Sequence, residues 1–189
     1  MTAELVGLID ESYRVAAGGH YVMAAAVVDV VRLEPIRDQL RVLPPGTKCH
    51  LHWVDEGDAV REKVIAAVEG LRLPHVVVAA TPISKRRQER ARAVCLERLM
   101  WELHDVGVTR VLIEGRSHQN AADRRVIGGL RNRKIVPRSL AFDFGSKRDP
   151  ELWIPDAVAG AVMLQRCEGD SRFAVRLSTM RVIDLPGIS

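Results

Sequence analysis

Two apolar runs near the start of the chain, residues 4–10 and 20–31, constrain the fold more than any other feature. A short segment holding Gly18-Gly19 joins them, so the second run is expected to return antiparallel to the first. The first run, ELVGLID, ends on a carboxylate and delivers Asp10-Glu11-Ser12 to a strand end. Beyond these strands the pattern alternates. Helices are read over residues 34–43, over 55–71 (Val60, Val64, Ile65, Val68) and over about 84–106. In the last of these Ala91, Cys95, Leu99 and Leu103 form an apolar stripe and Ser84 stands at the capping position. Two more helices are expected over 120–131 and 155–165, the second with proline in its first turn. Strands are expected at 48–53, 75–80, 109–114 and, centrally, 139–144, with one or two edge strands over 172–183. Strands first and alternation afterwards predict an α/β fold, a mixed sheet with helices on both faces. With no repeat and no composition break, one domain over residues 1–189 is expected.

Composition narrows the function classes. At 47% apolar and 28% charged residues the chain is globular in character rather than disordered. No run reaches the roughly eighteen apolar residues of a membrane helix, and the first residues lack the basic-then-apolar order of a signal peptide. Cys49, Cys95 and Cys167 are odd in number, widely spaced and form no Cys-x-x-Cys pair, which argues against a disulfide framework and a cysteine zinc site and favours buried thiols. A cytoplasmic protein is expected. A formal charge of +4 permits a phosphate-rich partner without demanding one.

The chain lacks a Walker A loop, a strand-linked G-x-G-x-x-G, an H-E-x-x-H and a G-x-S-x-G elbow. It does place acids at element ends: Asp10, Glu114, Asp123, Asp143 and Asp156. If the strands carrying Asp10 and Glu114 are neighbours, their carboxylates converge, and converging carboxylates call for a hard cation such as Mg²⁺ or Mn²⁺. Taken singly, each acid is more readily explained as structural than as catalytic. Asp156 meets the helix dipole whatever its role, Asp123 has arginines nearby, and Glu11 alternates away from Asp10. Asp10 is the exception, because an acid closing an apolar strand is not explained by solvation. His50 and His52 form a His-x-His pair that faces one side if extended, within reach of one metal. An ordinary polar face explains the pair more readily than a dedicated zinc site, and the nearness of Asp55, Glu56 and Asp58 leaves a role at the main site open. Two basic runs surround residues 85–92 and 124–138. The second, with Arg124, Arg125 and Arg131, follows Glu114 and is the preferred phosphate-backbone contact, together with Arg116 and Lys147. Only 4% of residues are aromatic, which disfavours a platform for stacking single-stranded bases.

The start LIDESYR before HYVMAAAVV, then KCHLHWVDE, VLIEGRSHQN and SLAFDFGSKRDPELWIPDAVAGAV, resembles in order the motifs of the domain-of-unknown-function family 3800. The resemblance spans nearly the whole chain. It implies an RNase H-like fold, a metal site at Asp10, Glu114 and Asp156 holding one or two Mg²⁺ or Mn²⁺ ions, and phosphodiester cleavage of RNA or DNA in a defence or toxin–antitoxin setting. His52, Asp123 or His50 would assist, as ligand or proton carrier. The chain departs from the family pattern at Tyr13, where glycine is usual, at His50 for Glu, at Glu114 for Asp, and at Trp153 and Pro155. Two readings follow: a metal-dependent nuclease, or a catalytically degenerate module on the same fold that binds nucleic acid, a partner protein or a second copy of itself. A small-molecule phosphohydrolase is a third, since a carboxylate–metal site does not reveal substrate size.

Overall fold

In β1 (Leu5–Arg14) and β2 (His20–Asp29) successive side chains enter different cores. Val6, Leu8, Val22, Ala24, Ala26 and Val28 pack on one face of the sheet, while Ile9, Tyr21, Met23, Ala25 and Val27 pack on the other. A strand covered on both faces reads as a continuous apolar run, which is why these segments are so evident. The computed structural model describes residues 4–15, 18–43, 50–116, 120–177 and 179–187. In it β1 and β2 pair antiparallel from Leu5↔Asp29 to Arg14↔His20.

The other elements are α1 (Leu33–Arg41), α2 (Asp58–Leu71), β3 (His75–Ala80), α3 (Gln88–Asp105), β4 (Val108–Glu114), α4 (Asn120–Asn132), β5 (Ala141–Gly145), α5 (Trp153–Glu168) and β6 (Met180–Leu185). They build a mixed six-stranded sheet in the order β5-β4-β1-β2-β3-β6. β4 lies parallel to β1 and to β5, β6 lies parallel to β3, and β2–β3 is antiparallel. Helices α1, α2 and α5 cover one face, and α3 and α4 cover the other. No helix among the described residues is long and apolar enough to cross a membrane.

Four sequence expectations are corrected. β1 does not close at Asp10. It continues to Arg14 because β2 still pairs with it, whereas the parallel pairing to β4 stops at Ile9↔Ile113. The strand expected at 139–144 is not central but the edge strand β5, whose Asp143 is exposed and bonded to Arg110 at 2.9 Å. Of the strand expected at 48–53, residues 48 and 49 lie outside the described residues, and the rest enters a 3-10 turn, Trp53–Asp55. That segment docks on α5 instead of joining the sheet. Ser84 makes no side-chain capping bond, since a 3-10 turn, Lys85–Arg87, precedes α3.

Cys95 is buried, Cys167 is half-buried, and both are free thiols. Cys49 lies outside the described residues.

His75 opens β3 inside the protein, and its Nδ1 has no hydrogen-bond partner among the described residues. Burial pushes its imidazole down to about 4. The unfolded chain protonates that ring near its ordinary value of about 6.5. Stability is therefore complete above about pH 6.5 and falls, on the order of 3 kcal/mol in all, as pH drops toward 4. Urea denaturation at pH 7 and 4.5 should show a smaller acid loss for His75→Leu than for the native chain.

Candidate active site at the end of the parallel strands

Because Ile9 sits beside Ile113 in the parallel register, the next residues, Asp10 and Glu114, emerge side by side where β4 ends. They share a face with Leu8 and Leu112, the face covered by α5. The first turn of α5 brings Asp156 to the same place, and all three carboxylates line one cleft of about 550 Å³.

Asp10 is buried, and its Oδ1 accepts the backbone N–H of Glu11 at 2.7 Å. Burial, reinforced by the charges of Glu11, Asp156 and Glu114, holds its carboxyl well above the usual carboxylate range. Glu114 is also raised, first by burial, although Lys147 and a hydrogen bond with Asp10 offset part of the effect. Asp156 and Glu11 raise both groups, so negative charge is crowded at this point, the arrangement a cation relieves.

The third acid is held by the segment that is not a strand. Trp53 N–H donates to Asp156 Oδ2 at 2.8 Å, and His52 Nδ1 lies 3.5 Å from the same oxygen. That contact raises the His52 imidazole above its ordinary value. Trp53 is seated edge-on against Phe173, its ring centroid 5.2 Å away, with Arg61 stacked 5.3 Å above its ring. Its indole lies flat against Gly160 on α5, where an added Cβ would fall 2.1 Å from Trp53 Cδ1. Gly160→Ala is therefore expected to cost about 1–3 kcal/mol by overpacking and to loosen His52 and Trp53 from Asp156. Thermal melting together with tryptophan fluorescence reads both effects.

Not every expected residue reaches this cleft. Arg116 and Lys147 line it, as does His52. His50 is exposed and is not part of the lining. Asp123 is buried on the other face of the sheet, where it accepts a bidentate pair from Arg92 Nε and a terminal nitrogen at 2.9 and 2.7 Å. Arg124 and Arg131 lie over the rings of Phe144 and Phe142 at 4.8 and 5.1 Å, and Arg125 is exposed on α4. Arg124 and Arg131 thus lie on the β5 side, and none of the three lines the cleft.

The residue that sequence reasoning missed is Arg92, which is only 1% exposed. It pairs with both Glu11 and Asp123, and its guanidinium reaches Tyr21 Oη at 3.5 Å. Read as part of a charge run, it looks solvated. A helical wheel shows otherwise, since Arg92 shares the spacing of Leu96, Leu99 and Leu103 on the buried stripe of α3.

Among the described residues no three His, Cys, Asp or Glu side chains form a closed metal-ligand group. The hard oxygen donors of Asp10, Glu114 and Asp156, which line one cleft, are of the kind that suits a divalent ion.

The fold is similar to that of Bst-RNase HIII in complex with Mn²⁺, at 19% identity and TM-score 0.59, over 90% of this chain and 55% of that one. It is similar to a mutant protein of Bst-RNase HIII at 17% identity and TM-score 0.58, over 91% and 56%. RNase HII in the PCNA:RNase HII complex from Archaeoglobus fulgidus matches at 13% identity and TM-score 0.53, over 87% and 77%. The chain thus spans about half the length of the Bst-RNase HIII structures. At these identities the likeness establishes an RNase H-like fold. Neither a protein-family model nor a curated protein matches the chain.

Proposed function

We propose that this RNase H-like chain is a divalent-metal-dependent nuclease that hydrolyses phosphodiester bonds of RNA or DNA. The observation that carries the reading is the convergence of Asp10 and Glu114 where the parallel pairing of β1 and β4 ends, with Asp156 of α5 lining the same cleft. The proposed kinship with the domain-of-unknown-function family 3800, and the defence setting it implies, rest on the ordered motifs alone.

Asp10 and Glu114 would hold Mg²⁺ or Mn²⁺, with Asp156 as the third donor. A bound ion would supply neutralisation of the crowded carboxylates and activation of a water for attack at phosphorus. The chain's own residues have separable tasks. Trp53 N–H and His52 orient Asp156. Lys147 lies close enough to offset the charge of Glu114, and a phosphate entering the cleft meets it there. Burial of Asp10 excludes bulk water from the floor of the site.

Mn²⁺ titration by calorimetry, run beside cleavage of labelled single-stranded RNA, duplex DNA and an RNA–DNA hybrid, tests the proposal. Saturable Mn²⁺ binding with cleavage of any of the three supports it. The second reading, a binding module without catalysis, is favoured by the lack of a closed three-ligand group among the described residues. Nucleic-acid binding with neither Mn²⁺ uptake nor cleavage would establish that reading instead.

A further inference from the structure

Arg116 lies two residues past Glu114 and lines the cleft beside it. Its backbone N–H donates to Asn120 Oδ1 at 2.8 Å, so the main chain, not the side chain, sets its place. The guanidinium has five donors in a fixed fork, yet among the described residues it meets carboxylates only at long range. Its Nε is 3.3 Å from Glu11 Oε1, and its two terminal nitrogens are 3.4 Å from the oxygens of Glu89. Well-formed bonds of this type measure about 2.7–2.9 Å. The buried Nε has no aligned hydrogen bond among the described residues.

The two carboxylates differ in kind. The Glu11 side chain is 10% exposed and is already paired with buried Arg92. The Glu89 side chain is 50% exposed in the first turn of α3. Glu11 cannot leave without giving up its ion pair to buried Arg92, whereas Glu89 can turn to water at little cost.

We infer that Arg116 is a gated clamp for a substrate phosphate: Glu11 pins its Nε, and Glu89 occupies its terminal nitrogens until a phosphodiester displaces it. This rests on the nucleic-acid reading of the cleft given above. A phosphate presents to the guanidinium fork the same paired oxygens as a carboxylate. The exchange replaces one anion by another, so the cation is never left bare. Glu89 is thereby a competitor for the clamp, and removing its charge strengthens substrate binding.

The test is equilibrium binding of labelled RNA, DNA duplex and RNA–DNA hybrid in the presence of chelator, which keeps metal binding and cleavage out of the readout. Glu89→Gln should tighten binding about two- to fivefold, the range of one exposed ion pair. Arg116→Ala should weaken it and lower the salt-dependence slope by about one. Arg116→Lys should be intermediate, because it keeps the charge but loses the fork. The decisive measurement is the double variant: in an Arg116→Ala background, Glu89→Gln should have no effect. Glu97→Gln, which removes an exposed carboxylate paired with Arg133, should not tighten binding. A gain that persists without Arg116, or an equal gain from Glu97→Gln, is a general charge effect and overturns the clamp. If nucleic acid binds but Glu89→Gln has no effect, the clamp alone falls. If the native chain binds none of the three probes, the clamp and the nucleic-acid reading fall together.

Discussion

Asp10→Asn should lower metal-dependent cleavage on the order of 10³-fold, the rate equivalent of several kcal/mol of lost charge stabilisation. The same substitution should raise the melting temperature of the metal-free protein. These opposite effects have one cause. In the folded chain burial and the neighbouring Glu11, Asp156 and Glu114 hold the Asp10 carboxyl well above its usual range. The folded state therefore keeps a proton that the unfolded chain releases near pH 4. The stability that this proton contributes is complete below about pH 4 and is lost as pH rises through the folded pKa. Asparagine has no charge to bury and loses nothing over that window. The variant's advantage in melting temperature should thus be absent near pH 4 and widen toward neutrality, by about 2–4 °C for each kcal/mol in a domain of this size. Adding Mn²⁺ should raise the native melting temperature and leave that of the variant unmoved, since only a state that binds ligand gains from it. Superimposable pH profiles for the two proteins would refute the account of Asp10 as a crowded, buried acid.

Arg92→Met carries the second large effect, a loss of about 3–5 kcal/mol, because it leaves buried Asp123 uncompensated and Glu11 with only its longer contact to Arg116. The side chains of Arg92 and Asp123 are 2% and 3% exposed, and that of Glu11 is 10% exposed, so water cannot substitute for the missing partner. Glu11→Gln and Asp123→Asn introduced together with Arg92→Met should recover most of the loss. Asp123→Asn alone should destabilise the fold without weakening Mn²⁺ binding, since Asp123 lies away from the cleft. Urea denaturation of the four proteins, with calorimetry of the last, checks these outcomes. A cost below 1 kcal/mol for Arg92→Met would show that the triad does not anchor Glu11.

Much of the architecture was legible along the chain because local patterns carry it. β2, β3 and the first half of β1 are apolar on both faces and stand out as continuous runs, and β4 shows as the apolar triplet before Glu114. Helices α2, α3 and α5 follow the expected spacing to within a few residues. The errors occur where a long-range contact overrides a local pattern. The alternation in KCHLHW resembles a strand, but Trp53 finds a seat on Gly160 and the described part of the segment leaves the sheet. The run 139–144 has the composition of a central strand, yet only β4 pairs with it.

The candidate site divides along the same line. Sequence alone placed Glu114 at a strand end and Asp156 in a first helical turn, because each position follows from hydrophobic period and boundary signals a few residues away, whereas the end it assigned to β1 at Asp10 is only the end of the apolar run. Period also set Glu11 on the face opposite Asp10, where Arg92 receives it. What only the tertiary structure decided is who meets whom. The β1–β4 register brings Asp10 against Glu114, the docked Trp53 segment turns His52 to Asp156, and α3 buries one arginine out of a basic run. The reason is physical: a strand or helix is specified by neighbours within one or two turns, whereas the charge state of Asp10 and the pairing of Arg92 depend on burial by residues far along the chain.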